Sequence, residues 1–242
     1  MNPIVLIPAR LGSTRLPGKV LADIGGKPMI AHVLERALRA GLGPVAVACG
    51  EAQVAEAVEK AGGIAVMTDP DLPSGSDRIW AALRRLDPAG AHDVIVNLQG
   101  DLPSIDPSYL ATVVKPLAQG FDIGTLVAPI TTEAERDAPS VVKCACAFPE
   151  DAEISPALYF SRHLIPSGEG PHWHHIGIYA YRRAALERFV TLPPSPLERR
   201  EALEQLRALE AGLRIGAARV AQAPFGVDTP EDLDRAREAL TK

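Results

Sequence analysis

Three cations, two hydroxyls and two glycines crowd the segment Pro8-Ala9-Arg10-Leu11-Gly12-Ser13-Thr14-Arg15-Leu16-Pro17-Gly18-Lys19. Guanidinium forks and an ammonium bind phosphate oxygens, and glycine frees backbone amides to do the same, so this composition suits a triphosphate. Counting excludes two familiar phosphate loops. A Walker A loop has four residues between its first glycine and the Gly-Lys pair and then Ser or Thr, whereas five residues separate Gly12 from Gly18 and Val20 follows Lys19. The dinucleotide fingerprint Gly-x-Gly-x-x-Gly is absent from this turn.

A second candidate is Val94-Ile95-Val96-Asn97-Leu98-Gln99-Gly100-Asp101-Leu102-Pro103, an apolar run that ends in a carboxylate. Gly100 permits close backbone approach to a ligand. Hard Mg²⁺ is held by one or two carboxylates together with phosphate oxygens, which makes Asp101 a natural ligand. Asp228, in Gly226-Val227-Asp228, is the candidate for a second. An Asp at a strand end also serves as a helix cap, and a basic loop also simply faces water, so the elements must decide where these residues lie.

Val- and Ile-rich runs at 3 to 8, 44 to 49, 63 to 67 and 93 to 98 read as strands buried on both faces. Helical patterns fall between them, from Pro28-Met29-Ile30 to Leu38, from Glu51 to Ala61 and from Ser76 to Leu86. The alternation predicts an α/β fold with a mostly parallel central sheet, right-handed crossovers and helices on both faces. Ligands of such sheets sit beyond the carboxyl ends of the strands, which is where the Pro8–Lys19 loop and Asp101 both fall. After residue 100 the pattern loosens, with strands expected at 122 to 128, 141 to 147 and 175 to 181 and mixed with antiparallel pairing. A long helix is expected from Pro196 to Gly212, then a strand near 214 to 220. Thr229-Pro230-Glu231-Asp232 reads as the cap and first turn of a final helix.

The 242 residues show no linker, repeat or low-complexity stretch, so one domain is expected. Hydrophobic residues at 47% and charged residues at 23% mark an ordinary globular chain. A net charge of −5 argues against nucleic acid as the main partner. The N-terminal apolar run has no basic flank and is too short to insert into a membrane, which predicts a cytoplasmic protein. Cys49, Cys144 and Cys146 are odd in number and read as free thiols, since Cys144-x-Cys146 has no second pair to complete a metal site. His172-Trp173-His174-His175 likewise lacks a carboxylate or thiol at zinc-ligand spacing.

Taken in order along the chain, Ala9-Arg10 to Lys19, Gly25 to Ile30, Ser74-Gly75-Ser76-Asp77-Arg78, Asn97 to Asp101, Tyr159 to Arg162, His175 to Arg182, Pro194 to Glu198, Leu203 to Arg207 and Gly226 to Leu233 resemble the 3-deoxy-manno-octulosonate cytidylyltransferase family. The likeness spans essentially the whole chain. It implies a single-domain, Rossmann-like nucleotidyltransferase fold over 1–242, with 1–120 mainly binding CTP and 121–242 mainly binding sugar and forming a homodimer. It implies that Arg10 and Lys19 grip the triphosphate with Arg15 nearby, and that Ser74, Gly75 and Arg78 help enclose the cytidine. Asp101 and Asp228 would hold Mg²⁺. Gln99, Arg162, His175, Tyr179, Glu204 and Gln205 would line the site of the acidic sugar 3-deoxy-manno-octulosonate (Kdo). The implied reaction joins CMP to Kdo for lipopolysaccharide biosynthesis. Two departures stand out: Leu102 occupies a position commonly Glu in the family, and the stretch Pro166 to His172 is short.

The competing readings are a cytidylyltransferase for another acidic sugar, such as an N-acylneuraminate or amino-Kdo, and a non-catalytic nucleotide-binding module that regulates a partner. Paired carboxylates beside Lys19 disfavour the module, because nucleotide binding alone does not require two metal ligands.

Overall fold

The computed structural model describes residues 1–13 and 16–240. The chain divides into two compact units, one formed by residues 1–111 and 224–242 and the other by 112–223.

The first unit opens with strand β1 (Pro3–Ala9), a short 3₁₀ turn (Lys19–Leu21) and a small hairpin, β2 (Asp23–Ile24) and β3 (Lys27–Pro28). Helix α1 (Met29–Arg39), β4 (Val45–Cys49), α2 (Ala52–Lys60), β5 (Ile64–Met67), α3 (Gly75–Leu86) and β6 (Val94–Asn97) follow. The strands run in the order β5-β4-β1-β6, and every pair is parallel, with Val5 opposite both Val45 and Val96. Ile4, Val5, Leu6 and Ile7 are all buried, as a central strand between two parallel neighbours requires. The expectation that residues 63 to 67 would be buried on both faces does not hold. Within this unit β5 lies at the edge of the strand order, and Ile64 and Met67 are 54% and 42% exposed.

Residues 224–240 return to this unit. Val227 and Leu233 pack with Ile24, Met29 and Ala236 in one buried cluster, flanked by Leu16 and Phe225. Burial of each large apolar side chain is worth about 1.5 to 3 kcal/mol, so this cluster fixes the C-terminal segment firmly. The terminal helix (Pro230–Leu240) starts where the sequence places it, with Asp232 N donating to Thr229 Oγ1 and Thr229 N to Asp232 Oδ2.

Helix α4 (Ser108–Ala118) spans the passage from the first unit to the second. The second unit contains β7 (Ile123–Pro129), α5 (Glu133–Asp137), β8 (Lys143–Cys146), β9 (Ile154–Ser161), β10 (Trp173–Arg182), α6 (Arg183–Thr191), α7 (Pro196–Glu201), α8 (Gln205–Glu210) and β11 (Ile215–Arg219). Its strand order is β10-β7-β11-β9-β8, and β8 also pairs with β10. Only β7 and β11 are parallel, so the expected antiparallel admixture is present. Strand β9 and helices α4 and α6 carry no clear periodic signal in the sequence and emerge only here.

The long helix expected from Pro196 to Gly212 is instead two short ones. Ser195 and Glu198 form a reciprocal capping box at the start of α7, and Ala202 then turns left-handed at φ 53° and ends it. The carbonyls of Glu201 and Ala202 accept hydrogen bonds from Arg162 Nε and Nη2, at 3.0 and 3.2 Å. Arg207 of α8 reaches back to Glu198 of α7 in a two-pronged ion pair, with contacts of 2.9 and 2.7 Å. Two side-chain cations thereby stabilise a break that periodicity alone reads as continuous.

Candidate functional site

The carboxyl ends of β1 and β6 face a cavity of about 340 Å³ in the first unit. Its lining includes Arg10, Lys19, Ser74, Gly75, Arg78, Gln99, Asp101 and Asp228, so eight of the residues singled out in the sequence converge on one space. Arg15 lies outside the described residues.

Local structure explains each placement. Gly18 N bonds to Leu11 O, and Gly18 adopts φ 69°, a left-handed turn that glycine takes without strain. That turn starts the 3₁₀ segment headed by Lys19. Leu11 N donates to Glu51 Oε2 at 2.9 Å, which ties the residues after β1 to the start of α2. Beyond β6, a Cβ on Gly100 would lie 3.0 Å from Pro8 O, so the two strand ends approach each other most easily with glycine there. Val227 N bonds to Asp101 O, which brings Asp228 alongside Asp101. Leu102, 8% exposed, is a near neighbour of Gly226, so the residue that departs from the family pattern packs against the returning C-terminal segment.

Lys19 Nζ joins the two carboxylates. It lies 2.7 Å from Asp101 Oδ2, 2.9 Å from Asp228 Oδ1 and 3.2 Å from Val227 O. Burial lowers the affinity of this ammonium for its proton, but the charges and hydrogen bonds of Asp101 and Asp228 outweigh it, and the net shift is upward. Lys19 therefore carries its charge at any physiological pH.

Arg78 plays a structural part as well as lining the cavity. Its guanidinium donates to Thr68 Oγ1 at 2.7 Å and to the carbonyls of Asp69 and Pro70, both at 3.0 Å. Burial and then the nearby charge of Arg10 push its pKa down. Two like charges facing one small cavity favour an anion there. Ser74 caps α3 by accepting from Asp77 N, and its hydroxyl donates to Asp77 Oδ2. Gln99 Nε2 donates to Asn97 Oδ1 at 3.0 Å.

The chemistry of the donor set fits Mg²⁺. Two carboxylate oxygens already converge on one cationic atom, and the remaining positions of a hard ion are ordinarily filled by phosphate oxygens and water. Among the described residues no group of three or more His, Cys, Asp or Glu side chains is arranged to hold a metal by itself.

The remaining sequence candidates lie in the second unit. His175 is 7% exposed, and its Nε2 is 3.0 Å from Thr125 Oγ1. The Thr125 hydroxyl also lies within hydrogen-bonding distance of the carbonyls of Ile176 and Ile178, at 3.2 and 2.9 Å. Burial, reinforced by His174, lowers the His175 pKa to about 3, so the ring is neutral. Tyr179 stands 5.6 Å from His175, centroid to centroid, and burial holds its phenol well above the usual value. Arg162 is taken up by the carbonyls of the α7–α8 break and of Pro139, and Glu201 accepts its backbone amide. Gln205 is buried, and Glu204 lies 3.6 Å from Arg207. Sequence reasoning gave no role to Thr125, Glu201 or Arg207, although Arg207 closes the Leu203 to Arg207 segment quoted above and the Thr125 hydroxyl stands inside an apolar strand.

A cytidylyltransferase family model matches residues 4–215. The 3-deoxy-manno-octulosonate cytidylyltransferase of Paramagnetospirillum magneticum is 59% identical over 241 residues, covering 99% of this chain and 98% of that one. The protein of the same name from Methylobacterium nodulans is 61% identical over 244 residues, covering 99% and 97%. A solved structure of CMP:2-keto-3-deoxy-manno-octonic acid synthetase complexed with CTP matches with a TM-score of 0.88 at 40% identity, covering 99% of this chain and 98% of that one. A mixed α/β fold of nucleotidyltransferase type, a cationic cavity beyond the strand ends and full-length likeness to these enzymes lead to one assignment: the chain belongs to the cytidylyltransferase family.

Proposed function

We propose that the protein transfers CMP from CTP to Kdo, with Mg²⁺, releasing pyrophosphate and forming CMP-Kdo for lipopolysaccharide assembly in the cytoplasm. The observation that carries this reading is the junction of Lys19 with Asp101 and Asp228 inside a cavity that also presents Arg10 and Arg78. Its support in the comparisons is the shared name of full-length relatives near 60% identity and the CTP-bound neighbour.

In this scheme Arg10 and Lys19 bind the triphosphate and oppose its charge. Ser74, Gly75 and Arg78 enclose the nucleoside, with Arg78 held rigid by its three bonds. Arg162, Gln99, His175, Tyr179, Glu204 and Gln205 orient the acidic sugar, His175 as a neutral hydrogen-bonding ring. The anomeric hydroxyl attacks the α-phosphorus and pyrophosphate leaves in line, so no protein nucleophile is needed and positioning supplies most of the acceleration. Mg²⁺ held by Asp101 and Asp228 would supply charge neutralisation at the phosphates. A homodimer is part of the proposal on the strength of the family likeness alone.

Pyrophosphate release from CTP, measured with Kdo, an N-acylneuraminate and amino-Kdo as separate acceptors, tests the reading. Release that depends on Kdo, stops with a chelator and returns with Mg²⁺ supports it. Preference for another acceptor contradicts the sugar assignment, and CTP binding without turnover contradicts the enzyme.

A further inference from the structure

Cys144 and Cys146 flank Ala145 on β8, and their sulfurs are 3.3 Å apart. Both are free thiols, Cys144 fully buried and Cys146 half-buried. Nothing in the proposed reaction uses either one.

Residues two apart on a strand have Cα atoms roughly 6.5 Å from each other, shorter where the strand twists strongly. A disulfide tolerates up to about 6.8 Å. The local ladder is irregular where it matters. Ala145 pairs with Tyr159 but Cys146 pairs with Ala157, so Leu158 is the extra residue of a bulge directly opposite the pair. Bulges increase twist and loosen the ladder, which lets the sulfurs close the remaining gap of about 1.3 Å to bonding distance.

The two thiols also differ in access. Cys146 lines a cavity of about 450 Å³ with Phe148, Trp173, His172 and Arg219, whereas Cys144 faces the interior. A reachable thiol beside a buried one is the layout of reversible dithiol pairs, in which the first is attacked or attacks and the second resolves. Burial holds the Cys144 thiol well above its ordinary pKa, so the accessible Cys146 is the thiol that reacts first.

We propose that Cys144 and Cys146 form a redox-active dithiol that closes reversibly to an intrachain disulfide by exchange with a small disulfide entering at Cys146. The Cys146 thiolate attacks one sulfur of the small disulfide, forms a mixed disulfide and releases one small thiolate. Cys144 then loses its proton and attacks the Cys146 sulfur, expelling the second small thiolate. Two protein thiols are oxidised, one small disulfide is reduced to two thiols, and the two protein protons end on those leaving groups. Excess dithiol reverses both steps.

Bis(2-hydroxyethyl) disulfide added to the full-length native protein tests this, with thiols counted after denaturation and peptides mapped by mass. The expected result is loss of two of the three thiols, a Cys144–Cys146 linked peptide and full recovery with dithiothreitol. Cys144→Ser should stop at a mixed adduct on Cys146, and Cys146→Ser should not react in the native state. Retention of all three thiols, a stable Cys146 adduct in the unsubstituted protein, or a link to Cys49 would overturn the proposal. The linked-peptide readout needs no variant and no turnover, so it stands whatever becomes of the assigned reaction.

Discussion

The Lys19 ammonium lies 2.7 Å from Asp101 Oδ2, and the same nitrogen reaches Asp228 across 209 positions of sequence. Lys19 is 14% exposed, so these are partly desolvated contacts, and they hold two distant carboxylates against each other. A single cation draws together the two carboxylates of the candidate centre.

Lys19→Met removes that cation and leaves the carboxylates facing one another. Turnover should fall by about 10² to 10³, equivalent to roughly 3 to 4 kcal/mol for one preorganised charged contact. Stopped assays of pyrophosphate release, with kcat and KM for CTP taken separately, measure it. A change below tenfold in both would remove Lys19 from the centre.

Arg162→Ala leaves the carbonyls of Pro139, Glu201 and Ala202 without their donor. The loss should lower stability by about 1 to 3 kcal/mol, read as a shift in urea midpoint. In the proposed scheme it also raises KM for the acidic sugar while leaving KM for CTP within about twofold. Arg162→Lys should recover little of either, because an ammonium lacks the planar fork.

The carboxyl ends of the first strands were legible in the sequence because parallel buried strands are near-continuous apolar runs. Pro3–Ala9, Val45–Cys49 and Val94–Asn97 stand within a residue or two of where Val and Ile clustering puts them. Arg10 and Asp101 follow two such strands, so their convergence was readable too. The α7–α8 break was not. From Leu197 to Ala211 the chain has no glycine or proline and is rich in strong helix formers, so nothing local marks the end, and what ends α7 is a left-handed alanine supported by Arg162, which follows strand β9. Nor does any local pattern show that Val227 docks on Ile24 and Met29, since that is a long-range apolar contact.

Ala202→Gly follows from the same break. A non-glycine residue in the left-handed region is strained by about 1 kcal/mol, partly offset by the extra freedom glycine has when unfolded. The substitution should therefore stabilise by up to about 0.5 to 1 kcal/mol, visible as a small rise in Tm. A fall in Tm would show that the Ala202 methyl matters more than its backbone angle.

His175 gives a pH dependence with a definite sign. Its folded pKa of about 3 lies below the ordinary histidine value, so between about 3 and 6.5 the unfolded chain binds the proton more readily. Stability contributed by the neutral ring is fully present above about pH 6.5 and is lost as the pH falls through that window. His174, also shifted down by burial, acts in the same direction. Each tenfold rise in proton concentration costs at most about 1.4 kcal/mol per group. Urea midpoints at pH 7, 6, 5 and 4.5 should decline steadily, and His175→Gln should show a shallower decline.

The most direct test of the central claim is CTP binding and pyrophosphate release measured side by side for Asp101→Asn and Asp228→Asn, with Kdo as acceptor and Mg²⁺ present. Each variant should keep CTP affinity within about tenfold and lose turnover by 10² or more. Near-normal turnover in either variant would contradict a centre built on Asp101, Asp228 and Lys19.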